Sequence, residues 1–98
     1  MLDVEAGHLE IVRKILRKYI PGAAVMAFGS RVTGTAVEYS DLDLAVIADA
    51  KLDFSTLGNI RMDFEESGLP FRVDILDWNA ISPEFREIIK SRHEVIAG

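Results

Sequence analysis

At 98 residues, with 49% hydrophobic and 28% charged side chains, the chain has material for one small core, and its composition excludes disorder and fibre. It contains no cysteine, which removes disulfides, thiolate zinc sites and cysteine nucleophiles from consideration. A formal net charge of -5 argues against broad binding to nucleic acid backbones, while a nucleotide that brings its own metal remains compatible with it.

The N-terminus is acidic and has no long apolar segment, so no signal peptide is expected. No apolar run approaches the roughly 18 residues that span a bilayer. A cytoplasmic location is the expectation.

Leu9, Val12, Leu16 and Tyr19, widened by Ile11 and Ile15, recur at helical spacing, and Glu10, Arg13, Lys14, Arg17 and Lys18 fill the opposite face. This predicts an amphipathic helix over Leu9 to Ile20, stopped by Pro21-Gly22. Its basic residues gather toward the C-terminal end, where the helix dipole favours them, and read as a solvated face. Ala23 to Phe28 is an uninterrupted apolar run, the mark of a strand covered on both faces. Gly29-Ser30 then opens a short helix that Gly34 ends. A Gly-Ser step leaving a buried strand presents free N-H groups and a hydroxyl, which suit an anionic phosphate.

Val37 to Ser40 form a return loop, and Leu42 to Ala48 the second strand. Strands joined by so short a connection are compatible with antiparallel neighbours. Asp41 and Asp43 stand two apart and share a face, their Cα atoms roughly 6.5 Å apart, which suits a hard divalent cation. Leu42, Leu44 and Val46 take the other face, while Ala45 and Ile47 continue the aspartate face inward.

Phe54, Leu57, Ile60 and Phe64 predict a second amphipathic helix, capped by Asp53 or Ser55 and closed by Gly68 and Pro70. Phe71 to Leu76 is a third strand with Phe71, Val73 and Ile75 on one face and Arg72, Asp74 and Leu76 on the other. Ser82-Pro83 reads as N-cap and first helical residue, and the last helix is expected to run through Phe85, Ile88, Ile89, Arg92 and Ile96. The order helix, strand, short helix, strand, helix, strand, helix predicts an α/β (α+β) domain, a small mixed sheet with helices packed on it.

Asp74 interrupts an apolar strand, and a carboxylate buried there without a partner costs several kcal/mol. Pairing with Arg72 or Arg31 accounts for it as well as a functional role does. Three carboxylates converging without a cation would raise one another's pKa, and a bound Mg²⁺ removes that penalty. Two metals on Asp41, Asp43 and Asp74 form the usual clamp for in-line phosphoryl displacement, with Asp74 accepting the proton of the attacking hydroxyl. In that scheme Gly29 and Ser30 hold the terminal phosphates and Arg31 helps neutralise the departing pyrophosphate. His8 and His93 have no ligand-spaced neighbours, and no Walker A loop occurs. Trp78 is either a base-stacking ring or, more simply, a plug under the last helix.

Gly29-Ser30, ten residues and then Asp41-Leu42-Asp43 resemble the Gly-Ser-x10-Asp-x-Asp signature of the polymerase β-type nucleotidyltransferase superfamily. With a third acid in Phe71-Arg72-Val73-Asp74-Ile75-Leu76, the chain most resembles the minimal nucleotidyltransferases, and residues 1–98 are expected to form a single such domain. A departure from the pattern is Thr33, where many relatives carry a second arginine. The resemblance implies nucleotide-binding roles for Gly29, Ser30 and Arg31, metal and catalytic roles for Asp41, Asp43 and Asp74, Mg²⁺ as cofactor and ATP as substrate. It also implies an antitoxin that transfers AMP to a tyrosine hydroxyl of a HEPN-type RNase toxin. The alternatives are a noncatalytic antitoxin that masks its toxin, and nucleotidyl transfer to a small molecule or RNA. Larger nucleotidyltransferases use another domain to cover the base and orient the acceptor; a partner that is itself the acceptor would supply that second wall.

Overall fold

The computed structural model describes residues 2–98. Chain order is α1 (Ala6–Tyr19), β1 (Ala24–Phe28), α2 (Ser30–Thr33), β2 (Leu42–Ile47), α3 (Phe54–Glu66), β3 (Val73–Asp77), a 3-10 turn (Trp78–Ala80), α4 (Pro83–Ser91) and β4 (Glu94–Ala97). The four strands form one mixed sheet in the order β3-β2-β1-β4. β1 runs antiparallel to both β2 and β4, whereas β2 and β3 are parallel. The parallel pair is possible because α3 supplies the crossover between them.

Alternation along the strands builds two cores. Val25, Ala27, Leu42, Leu44, Val46 and Ile75 face one way and meet Val12 and Leu16 of α1 and Ile60 and Phe64 of α3. Leu16, Leu42 and Leu44 are almost fully buried there, each contributing about 2–3 kcal/mol. On the opposite face, Met26 and Ala45 pack with Ile89 of α4, joined by Phe28, Ile47, Trp78, Ile81 and Phe85. Trp78 thus serves as the plug, with the Arg86 guanidinium carbon 5.4 Å from its ring centroid.

The helix ends follow local chemistry. Asp53 Oδ1 accepts from the Thr56 N-H at 2.7 Å, which makes it the cap of α3, and Ser82 Oγ accepts from the Phe85 N-H at 3.1 Å ahead of Pro83. Among the described residues no helix is long and apolar enough to cross a membrane.

The last element differs from the sequence expectation. α4 stops at Ser91, Arg92 turns extended, and Glu94–Ala97 pairs with β1. Ile96 therefore belongs to the larger core, not to a helix face. Two β-branched residues, Val95 and Ile96, can satisfy the otherwise open edge of β1, and that pairing outweighs the weak helical periodicity. Arg13 Nε of α1 donates to the Ile96 carbonyl at 2.9 Å and fixes the added strand. β3 likewise starts at Val73, two residues later than expected, although Phe71 still reaches the core.

Candidate active site

The face carrying the smaller core is covered by α4 only part-way along. Beyond the Met26–Ala45 pair the next row across the sheet is Phe28, Asp43 and Asp74, each directly opposite its neighbour in register. Asp41 lies two residues before Asp43, at the entry to β2. The strand pairing sets Asp43 beside Asp74 on one face, because partners in register present their side chains to the same side, while Asp41 precedes the paired part of β2.

Gly29 closes this row from the β1 side. Its φ of 80° lies in the left-handed region, and a Cβ there would collide with Asp43 Oδ2. Only a glycine lets the chain turn from β1 into α2 while its backbone rests against that carboxylate. Ser30 follows as the first residue of α2, so the Gly-Ser step and the acid pair are in direct contact through Gly29 and Asp43.

Burial first, then the charge of Asp74, then that of Asp41, push the Asp43 pKa up to about 6. Asp74 itself is exposed, and no cation is within ion-pair distance of Asp43 or Asp74 among the described residues. Neither pairing suggested for Asp74 exists. Arg72 instead meets Asp41, Nη2 to Oδ2 at 3.7 Å, with the arginine 78% exposed.

Arg31 corrects the sequence reading. It is 6% exposed, and its Nε, Nη1 and Nη2 donate to the carbonyls of Ser40, Asp3 and Glu38 at 2.9, 2.8 and 3.0 Å. Its guanidinium carbon lies 4.4 Å from the Phe71 ring centroid. A side chain so committed holds the loop before Asp41 and does not reach out to a phosphate. The polar return loop needed an internal donor, and Arg31 was the residue within reach.

Among the described residues no three acid or histidine side chains close into a ready cation cage. The carboxylates of Asp43 and Asp74, from adjacent strands, share one face and are hard oxygen donors of the kind a divalent cation takes, and Asp43 is destabilised by burial and by both neighbouring acids.

Beside the acids, along the free edge of β3 and under α3, lies an open groove of about 610 Å³. Its wall includes Asp41, Asp74, Arg72, Arg61, Phe71 and Tyr39. Sequence reasoning missed this groove, gave Tyr39 no role beyond the return loop, and gave Arg72 none beyond pairing with Asp74. The available signal was an aromatic residue set two positions before Asp41, between the polar Glu38 and Ser40.

The profile described as "Polymerase beta, Nucleotidyltransferase" matches residues 10–98. A Haemophilus influenzae protein named "Probable protein adenylyltransferase MntA" is 50% identical over 95 residues, covering 97% of this chain and 83% of the relative. A solved toxin-antitoxin structure with AMP-PNP superposes with a TM-score of 0.78 at 27% identity, over 92% of this chain and 73% of the other. A structure of a tri-AMPylated Shewanella oneidensis HEPN toxin in complex with MNT antitoxin gives 0.69 at 25% identity, over 92% and 69%. The register that sets Asp43 beside Asp74, the glycine fitted to Asp43 and these likenesses agree: the chain belongs to the polymerase β-type nucleotidyltransferase family.

Proposed function

We propose that this chain is a Mg²⁺-dependent adenylyltransferase that moves AMP from ATP onto a hydroxyl of a partner protein, a HEPN-type toxin, acting in the cytoplasm as its antitoxin. The observation that carries the reading is the row Gly29, Asp43, Asp74, which joins the glycine turn into α2 to two carboxylates with no cationic partner among the described residues. The name of the Haemophilus relative and the AMP-PNP and AMPylated complexes support it.

In this reading Asp41, Asp43 and Asp74 would hold the Mg²⁺ ions, whose charge offsets that of the triphosphate. The chain's own groups do the rest. Gly29 brings the backbone close to the terminal phosphates, and the Ser30 hydroxyl binds them. Asp74, exposed at the groove, takes the proton of the attacking hydroxyl. Arg31 keeps the loop from Glu38 to Ser40 in place, so that Asp41 arrives at a fixed position.

The test is incubation with labelled ATP, Mg²⁺ and the HEPN partner, comparing the parent with Asp41→Asn/Asp43→Asn. Label on the partner that the double variant fails to deliver is the expected result. Equal silencing of the toxin by both proteins without label would establish masking instead.

A further inference from the structure

In-line displacement at a phosphorus atom requires the attacking oxygen to lie opposite the leaving one. On the functional reading above, on which this inference rests, the pyrophosphate end lies at Gly29-Ser30, on the β1 side of Asp43. The sheet order β3-β2-β1 then sets the attacking side beyond Asp74, along the free edge of β3. That is where the groove lies, and one residue of its wall bears a hydroxyl of the chain's own: Tyr39 lines it together with Asp41 and Asp74.

Tyr39 is 69% exposed although aromatic, and its position is not left to a loose loop. The buried Arg31 grips the carbonyls on both sides of it, Glu38 at 3.0 Å and Ser40 at 2.9 Å. A second brace is the Val37 N-H, which donates to Ser40 Oγ at 2.9 Å. The phenol is thus tethered two residues from an acid of the site, on the side from which an acceptor must come. A tethered group has a high local concentration without needing to bind.

We propose that Tyr39 is a self-modification site: with ATP present and no partner in the groove, the chain adenylylates its own Tyr39. The phenolic oxygen bonds to the α-phosphorus of ATP, and the bond from that phosphorus to the oxygen bridging the β-phosphate breaks. Pyrophosphate leaves with the electron pair, and the phenolic proton passes to the Asp74 carboxylate. The product carries a phosphodiester in the groove wall and closes the acceptor side until the AMP is removed.

The experiment is incubation of the full chain with ATP and Mg²⁺, with and without the HEPN partner, followed by intact mass and peptide mapping. Tyr19 and Tyr39 are the only tyrosines, so they can be told apart cleanly. The expected result is AMP on the Tyr39 peptide, suppressed by the partner, lowered roughly tenfold or more in Tyr39→Phe and unchanged in Tyr19→Phe. The labelled fraction should not depend on protein concentration. An unmodified Tyr39 peptide in the incubation without the partner, while the partner is labelled in the other, or label on another residue of this chain, overturns this proposal and leaves the functional reading standing. No label on either protein overturns both.

Discussion

Gly29 and Asp43 fit each other so closely that a single added methyl group on the glycine would collide with the carboxylate oxygen Oδ2. The same glycine has a φ of 80°, where an L side chain costs about 1–2 kcal/mol. Gly29→Ala should therefore lower folding stability by about 1–2 kcal/mol and transfer activity roughly 100-fold, because the carboxylate is displaced by more than catalytic geometry tolerates. Urea unfolding and AMP transfer measured on the same preparation separate the two effects. Activity within a few-fold of the parent would show that Asp43 has room to move.

That contact is also a measure of what the chain alone discloses. The alternation of Leu42, Asp43 and Leu44 and the interruption at Asp74 were legible, because side-chain direction on a strand has a fixed period and an acid in an apolar run stands out. The pairing that aligns Asp43 with Asp74 was not, since register depends on α3 and on the whole sheet. Arg31 was misread for a related reason: an arginine beside a phosphate-like turn has the right charge, and only the fold shows that three carbonyls claim it. β4 escaped because Val95 and Ile96 fit both a helical and an extended pattern, and the open edge of β1 decided between them. The Tyr39 groove is assembled from the return loop, α3 and β3, which no local pattern connects.

Removing Arg31 tests its assignment to the loop. Arg31→Ala leaves three carbonyls without their charged donor and strips one face of Phe71, so a loss of about 3 kcal/mol or more is expected, enough to unfold a small domain. Arg31→Lys keeps the charge but cannot span three acceptors from one nitrogen, and should be destabilised yet folded. Folded Arg31→Lys should lose ATP affinity only together with stability, through the loosened loop before Asp41. A selective loss of ATP affinity without a drop in the urea midpoint would return the residue to the phosphates.

Arg72 behaves in the opposite way. Its contact with Asp41 is 3.7 Å long and its side chain is 78% exposed, so the pair contributes only about 0–1 kcal/mol to folding. Arg72→Ala should leave stability within about 0.5 kcal/mol of the parent. Because Asp41 then keeps no ion-pair partner among the described residues, divalent binding to the ATP-free chain should tighten a few-fold. Titration with Mn²⁺ followed by electron paramagnetic resonance gives the answer directly. Weaker binding in the variant would mean that the arginine organises the site instead of competing for it.

Asp43 links the site to stability through pH. Its pKa of about 6 in the folded chain exceeds the ordinary 3.8, chiefly through burial and then through Asp74 and Asp41. The sign follows from linkage: the folded state holds the proton more tightly, so stability is fullest below the unfolded value and is lost as pH rises through about 6. Asp43→Asn removes that loss. In EDTA at about pH 7.5 the variant should melt a few degrees above the parent, a gain limited by solvent screening of a half-buried group, and the difference should vanish near pH 4. Adding Mg²⁺ at neutral pH should raise the melting temperature of the parent and leave Asp43→Asn nearly unmoved, because the charge that destabilises the empty fold is the one that would hold the ion. Differential scanning fluorimetry across the pH range, with and without Mg²⁺, tests both halves. A variant less stable than the parent at neutral pH in EDTA would show that Asp43 has a stabilising partner and is not an acid held at a cost to the fold.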